Sequence, residues 1–163
     1  MKTLFIILSL IGYSNQEKSE KEVSKNEMSV SWEHKDARVY FKMAAPTTGW
    51  ITIGFNTTSG MSKAYLLMGR VINGNAEVVE HYTSSPGNYK TLIALGVQIS
   101  VYNIAGTEAN NQTTLEFSIP IQAKNKFARD LTKGSEYVMT LAYSQEDDFQ
   151  HHSTMRTSIN VKI

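Results

Sequence analysis

From Met28 onward apolar and polar residues alternate with a period of two rather than 3.6, the spacing of half-buried strands. Met28, Val30 and Trp32 alternate with Ser29, Ser31 and Glu33; a polar turn follows at His34-Lys35-Asp36; then Val39, Phe41 and Met43 alternate with Arg38, Tyr40 and Lys42. This predicts a hairpin. Further strands are predicted over 50–55, 64–72, 76–83, 97–104, 113–119, 136–143 and 157–163. Between them stand the turn signals Pro46 to Gly49, Asn73-Gly74, Pro86-Gly87, Ala105-Gly106-Thr107 and Lys133-Gly134. Short strands punctuated this often make an antiparallel sandwich or barrel. The expected fold class is all-β, a sandwich of immunoglobulin-like architecture with about nine to eleven strands. The one helical candidate, 121–131 after Pro120, has irregular apolar spacing.

The pattern changes upstream of Met28. Residues 1–14 start with Lys2 and run apolar from Leu4 to Gly12, the layout of a secretory signal. The run is far shorter than the roughly 20 residues that span a bilayer, and no later stretch is long and apolar enough. No transmembrane span is expected, only membrane association of the N-terminus before cleavage, which fits after Ser14. Leu10-Ile11-Gly12 resembles the box before the lipidated cysteine of bacterial lipoproteins, but Tyr13 has no thiol to lipidate. Residues 15–27 carry mixed charge with only Val23 apolar, so they read as a disordered tether. The folded domain is expected over 28–163. The protein is expected to be exported, to the periplasm or cell surface of a bacterium or secreted.

With 163 residues, 41% of them apolar, there is material for one domain with a core of its own. The chain has no cysteine, which excludes disulfides, thiolate metal sites, iron–sulfur clusters and cysteine nucleophiles. Lys+Arg 16 against Asp+Glu 15 leaves no basic patch for phosphates, so nucleic acid is not an expected partner. No Gly-x-Ser-x-Gly elbow is present and no pair of carboxylates is marked by spacing, so the chain is not expected to be an enzyme. A histidine-only metal site from His81, His151 and His152 conflicts with the opposite faces that adjacent strand residues take.

Two stretches stand out. Gly49-Trp50-Ile51-Thr52-Ile53-Gly54-Phe55 leads into a polar loop ending in Met61, then into the strand Ala64 to Val71; Ser144 to Arg156 follows a strand and contains His151 and His152. Together with Gly69, Thr113-Thr114-Leu115-Glu116-Phe117, Leu141-Ala142-Tyr143 and His152-Ser153-x-x-Arg156, these resemble the DOMON family, the sandwich domain of extracellular cytochromes. The resemblance covers most of Met28 to Ile163. It implies haem b held without covalent links, with Met61 and His152 as axial ligands. A thioether and an imidazole on the iron leave no open position, which suits electron transfer, and methionine raises the potential. The resemblance further places a flat apolar slot at one end of the sandwich, walled by Trp50, Phe55, Tyr65, Tyr82 or Phe149, with Arg70, Arg156 or Lys63 near the propionates. His151 stays open as the alternative to His152, because a bulge would exchange the two. The implied partners are haem and a redox partner protein or small ligand. The competing reading is a haem-free recognition module that binds a sugar, a small ligand or a partner protein through its polar loops.

Overall fold

The computed structural model describes residues 21–163. The expected signal, 1–14, and the first part of the expected tether, 15–20, lie outside the described residues. Eleven strands are found among the described residues: β1 Lys21–Lys25, β2 Met28–Lys35, β3 Arg38–Ala45, β4 Ile51–Asn56, β5 Tyr65–Ile72, β6 Asn75–Ser85, β7 Asn88–Thr91, β8 Tyr102–Ala109, β9 Gln112–Pro120, β10 Glu136–Tyr143 and β11 Met155–Lys162. A five-stranded sheet runs β1-β2-β3-β9-β8 and a six-stranded sheet runs β11-β10-β4-β5-β6-β7. Every pairing described is antiparallel. The chain is therefore the all-β sandwich its hydrophobic period predicts.

The core lies between the sheets and is built by that same alternation. Trp32, Phe41 and Phe117 face inward from the first sheet; Ile53, Phe55, Leu67 and Leu141 face inward from the second. The ring of Phe41 lies 5.6 Å from that of Phe117 and 5.8 Å from that of Phe55. Burying each such side chain stabilises the fold by about 1.5–3 kcal/mol.

Three expectations are corrected. The tether assigned to 15–27 does not hold from Lys21 on, because Lys21 to Lys25 pair with Trp32 to Met28 as β1. The alternation there was hidden by charge. Val23 packs on the core while Lys21 and Lys25 reach across the sandwich to the carbonyls of Lys162 and Ser158, each at 2.8 Å. The strand expected over 97–104 is displaced: β8 begins at Tyr102 and runs through Ala105-Gly106-Thr107, the expected turn, to a real turn at Asn110 and Asn111, whose φ values are 52° and 58°. Gly106 is there for closeness, since a Cβ would meet Leu115 Cδ2 at 2.5 Å and the Thr114 carbonyl at 2.8 Å. Residues 121–131 form a loop, not a helix. The Asn125 side chain accepts from the amides of Phe127 and Ala128 there, a local competitor to helix hydrogen bonding.

Candidate functional site

An antiparallel sandwich usually turns the outer face of each sheet to water. Here the middle of the six-stranded sheet is buried on both faces: β4 and the first five residues of β5 have no exposed position. Outward of the core, Trp50, Ala64, Leu66, Met68 and Ala142 form a second apolar cluster, with Met61, Tyr89 and Phe149 packed over it. Three segments cover that face. They are the loop after β4, the β6–β7 hairpin, and the long connection between β10 and β11.

Beneath this cover lies a cavity of about 140 Å³. Its floor is Trp50, Thr52, Leu66, Met68, Thr140 and Ala142, and Met61, His151, His152 and Arg156 stand round it. A more open hollow of about 460 Å³ shares Met61, Thr140 and Arg156 with the cavity and continues to Lys25 and Pro86. The two adjoin at these three residues and together form one cleft. Among the described residues, no carboxylate borders either compartment. Two buried polar atoms at the cavity, Trp50 Nε1 and Thr83 Oγ1, have no hydrogen-bond partner among the described residues.

Each wall is held by identifiable contacts. Asn56, buried at the end of β4, donates from Nδ2 to the carbonyls of Gly60 at 3.0 Å and Ser62 at 2.9 Å, closing the loop that presents Met61. The Met61 sulfur lies 4.0 Å from Thr140 Oγ1 on β10. On the other side, the β10–β11 connection is pinned where it leaves the sheet. Thr47 donates to the Ser144 carbonyl, the Trp50 amide donates to the Glu146 carbonyl at 3.1 Å, and Ser144 Oγ donates to the His152 carbonyl at 3.2 Å. Gly49 lets that segment come close, since a Cβ there would meet the Glu146 amide nitrogen at 2.5 Å. Further along, Arg70 donates from Nη1 to the Asp147 carbonyl at 2.6 Å, bonds to Glu77 through Nε, and lays its guanidinium 4.4 Å from the centre of the Phe149 ring. Burial raises the Asp147 carboxyl above its ordinary value, and the charge of Arg70 works against that rise.

The structure brings some expected residues together and separates others. Met61, His152, His151, Trp50 and Arg156 border the one cleft. Its place is the outer face of the sheet, not the end of the sandwich. Phe55 and Tyr65, expected in its wall, face the inter-sheet core instead, because β4 and β5 alternate and their inward parity includes both. The Tyr65 hydroxyl donates to Glu80 at 2.6 Å, and burial, then the Glu80 charge, holds its pKa well above the ordinary value. Tyr82 likewise packs inward, against Phe127. Arg70 spends its donors on Glu77 and Asp147 and does not line the cleft, and Lys63 is exposed on the loop beyond Met61. Phe149 belongs to the outer cluster. His81, His151 and His152 do not gather as a metal-binding group; no such cluster occurs among the described residues. Asn56, Thr83, Thr140 and Lys25 are additions that sequence reasoning did not supply. The unbroken apolar run Tyr65 to Met68 was their signal: inside an antiparallel sheet it requires something to cover the outer face.

The sequence pattern of the DOMON domain matches residues 24–144. The chain belongs to the DOMON family. The match begins inside β1 and stops at Ser144, before the loop that carries His151 and His152. Two solved structures share the fold at very low identity. One is the cytochrome b domain of pyranose dehydrogenase from Coprinopsis cinerea, with a TM-score of 0.63 at 9% identity, covering 83% of this chain and 76% of that one. The other is the cytochrome domain of cellobiose dehydrogenase from Myriococcum thermophilum, with a TM-score of 0.63 at 7% identity, covering 88% and 81%. No curated protein matches the chain in sequence.

The residues of the cleft fit a haem. A thioether and an imidazole border one apolar space, two buried donors there lack acceptors, and the cations Arg156 and Lys25 stand where no carboxylate competes. The smaller compartment, about 140 Å³, is below the roughly 300–1,000 Å³ of ordinary ligand pockets. The adjoining open hollow, about 460 Å³, lies within that range.

Proposed function

We propose that this DOMON domain is an exported electron-transfer module that holds haem b without covalent links, with Met61 and His152 as its axial ligands. The observation that carries the reading is the meeting of Met61 and His152, far apart in sequence, at one apolar cleft on the outer face of the six-stranded sheet. Haem bound there would supply reversible one-electron iron chemistry. The protein's own share is to hold and shield it. Asn56 fixes the backbone that offers the Met61 thioether, and Ser144 ties the His152 backbone to the end of β10. Trp50, Leu66 and Met68 exclude water from the floor, and dryness of that kind is one of the protein's levers on redox potential. Arg156 at the mouth offers a charge-assisted bond to a carboxylate.

Export is part of the same reading, resting on the signal-like layout of residues 1–14. A mature N-terminus near Asn15 in secreted or envelope material is the expected mass-spectrometric result.

Absorption spectra test the haem. Protein produced with haem supply is expected to show a Soret band and sharp low-spin bands on reduction. Met61→Ala is expected to lower the reduction potential and add high-spin character, and His152→Ala to lose the low-spin spectrum. Colourless protein that takes up no added haemin rejects the proposal, and loss of the spectrum in His151→Ala rather than His152→Ala reassigns the ligand.

A further inference from the structure

We infer that Arg70 is a positioning residue: it clamps the β10–β11 connection against the sheet and so sets the His152 ring over the cleft. The inference rests on the haem reading for its functional meaning but stands on geometry independent of it. One side chain makes three kinds of contact. Nε bonds to Glu77 on β6, Nη1 donates to the Asp147 carbonyl at 2.6 Å, and the guanidinium carbon lies over the Phe149 ring, 4.4 Å from its centre. Glu77 orients the fork from the strand side, and the loop receives the other two contacts. Phe149 is itself gripped, since the Tyr89 hydroxyl donates to its carbonyl and the His81 ring meets its ring edge-on at 5.8 Å.

The position of the clamp along the loop gives it leverage. The connection is tied to the sheet at Ser144 and Glu146 and again at Thr154, whose amide donates to the Tyr143 carbonyl at 2.8 Å. Between those ties, His151 and His152 are exposed. Their backbone is fixed by hydrogen bonds at His151 N and at the His152 carbonyl. His151 donates its amide to the Asp148 carbonyl at 2.9 Å and Gln150 donates to Asp148 Oδ1, so the turn carrying the histidines is built on Asp148, which lies between the two residues that Arg70 contacts. Without Arg70 the turn keeps only the Ser144 bond to the His152 carbonyl and the Tyr89 bond to the Phe149 carbonyl, and its place over the cleft loosens. Lysine would not replace the clamp, because a single ammonium cannot reach Glu77, donate to the Asp147 carbonyl and lie flat on Phe149 together.

Two measurements on the full-length protein test this. The first is amide hydrogen exchange of residues 145–154 without haem. Loss of a charge-assisted hydrogen bond carries a factor on the order of tenfold in local opening, so Arg70→Ala and Arg70→Lys are each expected to speed exchange there by about that much, with β2 and β3 unchanged. The second is the spectrum with haem. Both variants are expected to lose low-spin fraction and release haem faster, and added imidazole, which replaces a strayed histidine on the iron, is expected to restore the low-spin bands. Unchanged exchange in both variants overturns the clamp, as does full rescue by Lys, which would make the charge alone responsible. Faster exchange with an unaltered spin state overturns the positioning role. If the wild-type protein takes up no haem, the proposed function fails while the exchange measurement still decides whether Arg70 holds the loop.

Discussion

Gly49, His81 and Met61 show how much of this site is decided by single side chains. Gly49 has an ordinary backbone, so its role is space: a methyl group would press into the backbone of Gln145 and Glu146 at 2.6 Å and 2.5 Å. Overpacking of this kind costs about 1–3 kcal/mol, and each kcal/mol moves the melting point of a domain this size by about 2–4 °C. Gly49→Ala is expected to melt several degrees lower, read by calorimetry, and to bind haemin more weakly because the loop it displaces bears the histidines. His81 is buried on the outer face, against Tyr89 and Phe149. Burial lowers its pKa below the ordinary 6.5, and the hydrogen bond to the Val79 carbonyl opposes the shift without cancelling it. The unfolded chain therefore takes up a proton near pH 6.5 that the folded protein refuses, so His81 contributes stability above that pH which is lost as pH falls below it. Thermal midpoints measured from pH 7.5 to 5 are expected to fall in the wild-type protein and to fall less steeply in His81→Gln. Of these residues only Met61 was legible in the sequence, because a thioether ending a Gly/Ser/Thr loop is out of place there. Gly49 acts through Gln145 and Glu146 and His81 through Phe149, all more than sixty residues away along the chain, which no local pattern records.

Among the elements, the strands with clean alternation were legible and those shaped by close approach were not. β2, β3 and β9 lie where their period places them, since each has one face on the core and the other largely toward water. β8 was shifted because Gly106 imitates a turn residue while serving a tight contact with β9. β1 was missed because a single valine among lysines and glutamates has no period to read. Its part in the fold is nonetheless specific: Val23 closes the core at the sandwich edge while Lys21 and Lys25 donate to carbonyls of β11, the end strand of the other sheet. Exposed strand edges invite pairing with other chains, and lysines there discourage it. Removing residues 1–26 is expected to lower the melting point by at least about 5 °C and to raise the soluble aggregate fraction seen by light scattering, whereas removing 1–20 is expected to do neither.

At the scale of the whole molecule, the asymmetry between the two sheets is what supports the proposed function. The five-stranded sheet keeps an outer face with exposed charges such as the Lys42–Glu116 pair at 2.9 Å, while the six-stranded sheet hides its centre under three loops. The sandwich and the two ligand candidates were readable in advance; the side on which they meet was not, because a strand apolar on both faces does not say which face serves the core. Ligand binding to the folded state alone stabilises it in proportion to affinity and concentration. Haem saturation is accordingly expected to raise the thermal midpoint of the wild-type protein and to leave that of His152→Ala closer to its haem-free value, measured with the same preparation before and after reconstitution.

The strand β4 belongs to the core and the cleft at once, with Ile51, Ile53 and Phe55 on one side and Thr52 and Gly54, following Trp50, on the other. One residue inserted or deleted within it would exchange the two sets, putting isoleucines under the loops and the indole into the sandwich interior. Recognition surfaces carried on loops can be lengthened, trimmed or replaced piecemeal. This one shares its backbone with the part of the molecule least able to change, so drift in the covering segments can retune what is bound while the floor passes on unaltered to every descendant that still folds.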